Sequence, residues 1–222
     1  MRVRQTLIAV AALALVPAMA AAQPYAGGTA PRAGSLEVGG GVVWTGGYDA
    51  GSASASETTA GTAPLTLFVV DGTVKSGPGA AVQVGIYLGR RFSAEGALHY
   101  TRPILQARQS ADFESATEAT AETTITSYLI GGSLLYHFGD GRVVPFVSGG
   151  GGYLRQLYED NADVLTGTEL HAGGGLKVWL GSGQRRLGLR LDAQASARSK
   201  SVAFEQRRRL VPAVAAGITY RF

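Results

Sequence analysis

The last twelve residues, Val211–Phe222, limit the fold more than any other stretch of this chain. They read V-P-A-V-A-A-G-I-T-Y-R-F. At a period of two, Pro212, Val214, Ala216, Ile218, Tyr220 and Phe222 share one face, while Val211, Ala213, Ala215, Gly217, Thr219 and Arg221 share the other. The first face is apolar and ends in two aromatic rings. The second is small or polar and ends in a charge. A strand of this kind suits a wall with lipid on one side and a packed, polar interior on the other.

Seven earlier stretches repeat the pattern. Ser35–Tyr48 sets Leu36, Val38, Val42 and Trp44 against Glu37, Gly39, Gly41 and Thr45. Ala80–Arg91 alternates Val82, Val84, Ile86 and Leu88 with Gln83, Gly85, Tyr87 and Gly89. In Glu95–Arg108, Leu98 and Tyr100 oppose Glu95, Ala97, His99 and Thr101. Thr123–Phe138 carries Tyr128, Ile130, Leu134, Tyr136 and Phe138 on one face, with rings near both ends, as suits two bilayer interfaces. Val143–Tyr158 is a fifth strand whose phase is blurred by Gly149–Gly152. Val164–Leu180 sets Leu170, Leu176 and Val178 against Glu169, His171 and Lys177, and Leu187–Arg198 sets Leu187, Leu189 and Leu191 against Gly188, Arg190 and Asp192.

The connections alternate, long or polar and then short. Asp49–Gly79 reads as a long outer loop of Ser, Thr, Ala and Gly, with a small hairpin over Leu65–Val74 whose arms fall short of a membrane strand. Gln109–Glu122, Glu159–Asp163 and Ser199–Arg208 are the other outer loops. Phe92–Ala94, Gly139–Arg142 and Gly181–Arg186 are short turns. The predicted fold is therefore all-β, an eight-stranded antiparallel up-and-down transmembrane barrel with both termini on the side of the short turns.

This pattern resembles the small eight-stranded outer-membrane barrels, the OmpA/OmpX and OmpW-like group, over Ser35–Phe222. Such barrels end in an alternating strand with a terminal Phe. The resemblance implies an outer-membrane location, periplasmic termini and long loops in the medium. It also implies that Tyr220 and Phe222 form the signal read by the barrel-assembly machinery. Targeting agrees with this. Residues 1–22 read as a signal peptide, with Arg2 and Arg4, an apolar Leu7–Val16 core and small residues at the cleavage positions. Residues 23–34, rich in Pro, Gly and Ala, read as a flexible periplasmic lead-in, and residues 35–222 as the barrel. A soluble β-sandwich or lipocalin-like barrel is the rival, but it would bury the apolar face and leave the polar face to water.

The polar face places Glu37, Arg91, Glu95, Lys177, Arg190, Asp192 and Arg221 inside, with His99, Arg155, Glu169 and Arg198. An eight-stranded barrel is just wide enough for side chains to fill it, so a polar network filling the lumen is favoured over a conduction path. Glu37 and Arg221 are expected to come within ion-pair reach where the first and last strands meet. Net charge is +4, about +2 without Arg2 and Arg4, which is too balanced to imply nucleic acid. The chain has no Cys and three dispersed His, which gives no metal-ligand spacing and no implied cofactor.

Some eight-stranded outer-membrane barrels modify lipid A with Ser, His and a carboxylate. Here the Ser nearest in sequence to a His is Ser133, four residues before His137, and no motif joins them. No catalytic residue is assigned, and the chain reads as a non-enzyme. The expected role is structural or surface interaction, with a narrow pore or a carrier of small hydrophobic molecules as the alternative that the OmpW-like resemblance allows. Outer-membrane lipid is the expected surrounding. Arg207–Arg209 suits either open solvent or the phosphates of lipopolysaccharide. A monomer is expected.

Overall fold

The computed structural model describes residues 30–57, 65–110, 119–158, 163–181, 186–199 and 208–222. The expected signal peptide, most of the lead-in and parts of all four expected outer loops lie outside the described residues. Among the described residues twelve strands follow one another: β1 (Leu36–Thr45), β2 (Tyr48–Glu57), β3 (Leu65–Val74), β4 (Gly77–Tyr87), β5 (Phe92–Thr101), β6 (Ile104–Ser110), β7 (Ala119–Thr124), β8 (Thr126–His137), β9 (Val143–Tyr158), β10 (Asp163–Trp179), β11 (Leu187–Ser199) and β12 (Arg209–Arg221).

Eight of them close a barrel in the order β1-β12-β11-β10-β9-β8-β5-β4, with β4 returning to β1. Every ladder is antiparallel. Closure pairs the first strand with the last from Glu37↔Arg221 to Thr45↔Ala213, so the sheet has no edge within the barrel. Both ends of the described barrel, Leu36 and Arg221, sit together at one end, the near end.

The alternation sorts side chains as the period of two predicts. Val42, Ile130, Leu134, Leu170 and Phe222 are exposed on the outer wall, while Glu37, Lys177, Arg190 and Thr219 are buried inside. Rings collect at two levels of the outer face. Phe92, Tyr136 and Phe138 pack edge to face near one end, as do Tyr220 and Phe222 with centroids 4.9 Å apart. Tyr100 and Tyr128 meet at 5.3 Å towards the other end, where Trp44 is also exposed. From Leu36 to Trp44 the strand rises about 26 Å, or roughly 20 Å along the axis at a tilt of ~40°. That approaches the ~25 Å apolar band of such barrels.

The far end departs from the sequence reading. Asp49–Gly79 is not mainly loop, because Tyr48–Glu57 forms β2 and pairs with β3, and Leu65–Val74 is one unbroken strand rather than a small hairpin. The stretches read as single strands, Glu95–Arg108 and Thr123–Phe138, each divide in two. The breaks fall at one level, at Gly46–Gly47, Lys75–Ser76, Arg102–Pro103 and Ile125. Beyond them β2, β3, β6 and β7 form a separate four-stranded sheet, a flap. Pro103 has no N–H to continue a ladder, and its carbonyl instead accepts from Ile125 N at 2.8 Å. Across the flap, Glu122 accepts from Lys75 Nζ at 2.6 Å and from Gln106 Nε2 at 3.2 Å.

The flap leans over the barrel mouth. Its Tyr48, Ala50 and Val74 pack with Ile125 and Val211, against Leu105, Tyr158 and Leu165. This apolar cluster caps the lumen where the four strands bend.

Candidate functional site

Inside the barrel the polar side chains form three layers. In the near-end layer the Glu37 carboxylate accepts from Lys177 Nζ, from Thr219 Oγ1 at 2.8 Å and from Tyr87 Oη at 2.9 Å. Lys177 and Glu37 are almost wholly buried, so their charges depend on each other and on these hydroxyls. The Arg221 guanidinium lies 4.5 Å from the Trp179 ring centroid. Ser93 Oγ and His137 Nε2 meet at 3.0 Å, and the His137 ring stacks on Tyr87.

Arg190 makes the middle layer. Its guanidinium donates to both oxygens of Glu95, one at 3.0 Å, and to both oxygens of Asp192 at 2.9 to 3.1 Å. One planar cation thereby satisfies two carboxylates, a geometry Lys cannot reproduce. In the upper layer Arg198 Nε donates to Glu169 Oε2 at 2.6 Å, and Ser133 Oγ lies 2.7 Å from His171 Nε2. Glu169 Oε1 is 3.7 Å from His171 Nδ1. A cavity of about 60 Å³ separates the middle and upper layers, lined by Glu95, His99, Ser133, His171, Arg190 and Asp192 among others.

Of the expected network, Glu37, Glu95, His99, Lys177, Arg190, Asp192 and Arg221 face the lumen, as do Glu169 and Arg198. Arg91 does not. It is exposed at the turn before β5, and its Nη1 donates to Tyr136 Oη at 3.3 Å on the outer wall. A turn residue has no fixed strand parity, which is why alternation misplaced it. Arg155 is also exposed, because Leu154 and Gln156 take the inner positions beside it. Glu37 and Arg221 are register partners as expected, and Lys177 of β10 reaches across the lumen to donate to Glu37. Of Arg207–Arg209, Arg207 lies outside the described residues and Arg208 is exposed, while Arg209 is half-buried and donates to Ala50 O at 3.2 Å.

Alternation alone did not reveal the roles of Tyr87, Thr219 and Ser133. Their inward parity was visible, but their partners lie across the lumen. Glycine makes some of these meetings possible. Gly150 stands between Ser133 and His171 in register, and a Cβ there would overlap the Gly132 carbonyl oxygen and lie 2.8 Å from Ser133 Cα. Gly150→Ala is therefore expected to cost about 1–3 kcal/mol through forced backbone shifts. Urea unfolding in detergent reads this, and an unchanged midpoint would show that the wall gives way freely.

The family description "Outer membrane protein beta-barrel domain" matches residues 8–222. No curated protein matches the chain in sequence. Among solved structures, the outer membrane protein OprG from Pseudomonas aeruginosa is similar at a TM-score of 0.55 and 12% identity, over 86% of this chain and 97% of that one. Neisserial surface protein A aligns at 0.54 and 12% identity, over 85% of this chain and 99% of that one. At such identities these likenesses speak for the fold, and they agree with the closed eight-stranded wall described above. With its profile match spanning nearly the full length, the chain belongs to the outer membrane protein β-barrel domain family.

Proposed function

We propose that this protein is a sealed outer-membrane barrel that works at the cell surface by holding the β2–β3–β6–β7 flap in the medium. The observation that carries this reading is the flap itself. Four wall strands continue past the far ring of aromatic side chains and re-form as a second sheet. Its outer face presents Asp49, Asp71, Thr73, Lys75 and Glu122, all exposed, a surface suited to water or a polar partner. Beneath it, among the described residues, the apolar cap and the ion-paired layers occupy the lumen, which favours a sealed barrel over a porin-like water path. The termini then face the periplasm.

Two measurements test the reading. In planar bilayers the wild type is expected to give no large steady single-channel current; such a current would replace this proposal with a pore. The chain has no Cys, so introduced thiols report topology without background. Thr73→Cys on the flap is expected to react with a membrane-impermeant maleimide on intact cells. Gly89→Cys at a near-end turn, where a Cβ meets nothing within 4 Å, is expected to react only after the outer membrane is opened. The reverse pattern would invert the topology.

A further inference from the structure

Three neighbouring strands bring a hydroxyl, an imidazole and a carboxylate together in the upper lumen. Ser133 of β8 and His171 of β10 both face Gly150 of β9 in register. Glycine leaves the space above β9 open, so the two side chains bridge it, with Ser133 Oγ 2.7 Å from His171 Nε2. The far side of the ring points to Glu169, whose Oε1 is 3.7 Å from His171 Nδ1. Both of those atoms are buried without a hydrogen-bond partner, and the two side chains are 8% and 0% exposed. Glu169 is held in place because Arg198 grips its other oxygen at 2.6 Å. Ser133 and His171 line the cavity of about 60 Å³, room for on the order of four waters. The second Ser–His pair, Ser93 with His137, does not line this cavity.

We propose that Ser133, His171 and Glu169 serve as nucleophile, general base and orienting carboxylate for the hydrolysis of small, water-soluble acyl esters that enter the lumen. With a proton on Nδ1 directed at Glu169, Nε2 takes the Ser133 proton as Oγ bonds to the ester carbonyl carbon. His171 returns that proton to the departing alcohol as the ester C–O bond breaks. Water then adds to the acyl-serine, His171 takes its proton and passes it to Oγ, and the acid leaves. Ester and water become acid and alcohol. The 3.7 Å gap shortens as the imidazolium forms, as catalytic contacts often do only once substrate is bound. β8 is paired on both sides, so backbone N–H groups near Ser133 are engaged in ladders. The developing oxyanion must be met by side chains, and Gln83, His99 and Gln194 line the same cavity. Cavity size limits the acyl group to about that of acetate, and the wall separates the site from membrane lipid.

The test uses the full folded barrel in detergent, with its heat-shifted gel mobility as the check on folding. A small ethyl fluorophosphonate is expected to leave one adduct, mapped by peptide mass to Ser133, and p-nitrophenyl acetate to be hydrolysed at a rate lost in Ser133→Ala. Labelling is expected to take hours, since the apolar cap must part to admit the probe. His171→Gln is expected to slow labelling about 100-fold or more. The pair Glu169→Gln with Arg198→Met keeps the interior neutral and is expected to slow it about 10-fold or more. No adduct on Ser133 in a folded barrel overturns the proposal, as do equal rates in His171→Gln or equally fast labelling of Ser93.

Discussion

Replacing Arg190 by Met is expected to destabilise the barrel by at least about 3–5 kcal/mol, the cost of leaving a buried charge without its partner. Here two partners are stranded rather than one. Arg190 is 6% exposed and holds Glu95, at 10%, and Asp192, at 23%. Without the guanidinium the two carboxylates are left side by side in the middle layer with no cation between them, and like charges there repel. Water reaching Asp192 moderates the loss but does not remove it. Arg190→Lys is expected to rescue little, because an ammonium cannot donate to both carboxylates in the plane they now share. Rescue is expected instead from removing the anions. Arg190→Met with Glu95→Gln and Asp192→Asn should recover most of the stability lost in the single mutant. Urea unfolding in detergent, followed by the gel shift, measures all of these. A near-neutral Arg190→Met, or a triple mutant no better than the single, would show that this layer is solvated and that the lumen is more open than the paired layers imply.

The wall of this barrel was legible in the sequence because alternation is a local signal. In Leu187–Arg198 every second residue could be assigned to lipid or lumen without knowing any neighbour, and the exposures agree. Where glycine interrupts the signal, the reading fails. Gly149–Gly152 carries no polarity, so the phase is lost across it and Arg155 falls on the outer rather than the inner face. The flap was hidden for a different reason. Ser52–Glu57 is small and polar and has weak strand propensity, yet it pairs with the largely apolar Leu65–Asp71 stretch of β3. Partners rather than propensity make it a strand. Deleting Ser52–Thr62, harmless if the segment were free loop, would remove most of an arm of that sheet. The lumen contacts were hidden by distance along the chain. Glu37 and Lys177 are 140 residues apart, and Ser133 and His171 are 38 apart. Parity places each of them inside, but which inward residues meet depends on barrel tilt and stagger, which no single strand encodes.

That dependence makes Glu37 the sharpest test of the near-end layer. Register alone favours Arg221 as its partner, since the two are cross-strand neighbours. The geometry favours Lys177, whose ammonium reaches Glu37 across the lumen while Arg221 lies over the Trp179 ring at 4.5 Å. Lys177→Met is expected to cost about 3–5 kcal/mol, because Glu37 stays buried without the ammonium that donates to it, while the hydroxyls of Tyr87 and Thr219 remain. Glu37→Gln strands the Lys177 ammonium in turn. The double mutant removes both charges at once and is expected to be more stable than the sum of the singles by roughly 1–3 kcal/mol. The matching cycle with Arg221→Met is expected to show a smaller coupling to Glu37, with part of its cost arising from the uncovered Trp179 face. Additive losses for Glu37 and Lys177, or a larger coupling to Arg221, would return the pairing to strand register. The near end would then be closed by the seam between β1 and β12 rather than by a bond spanning the lumen.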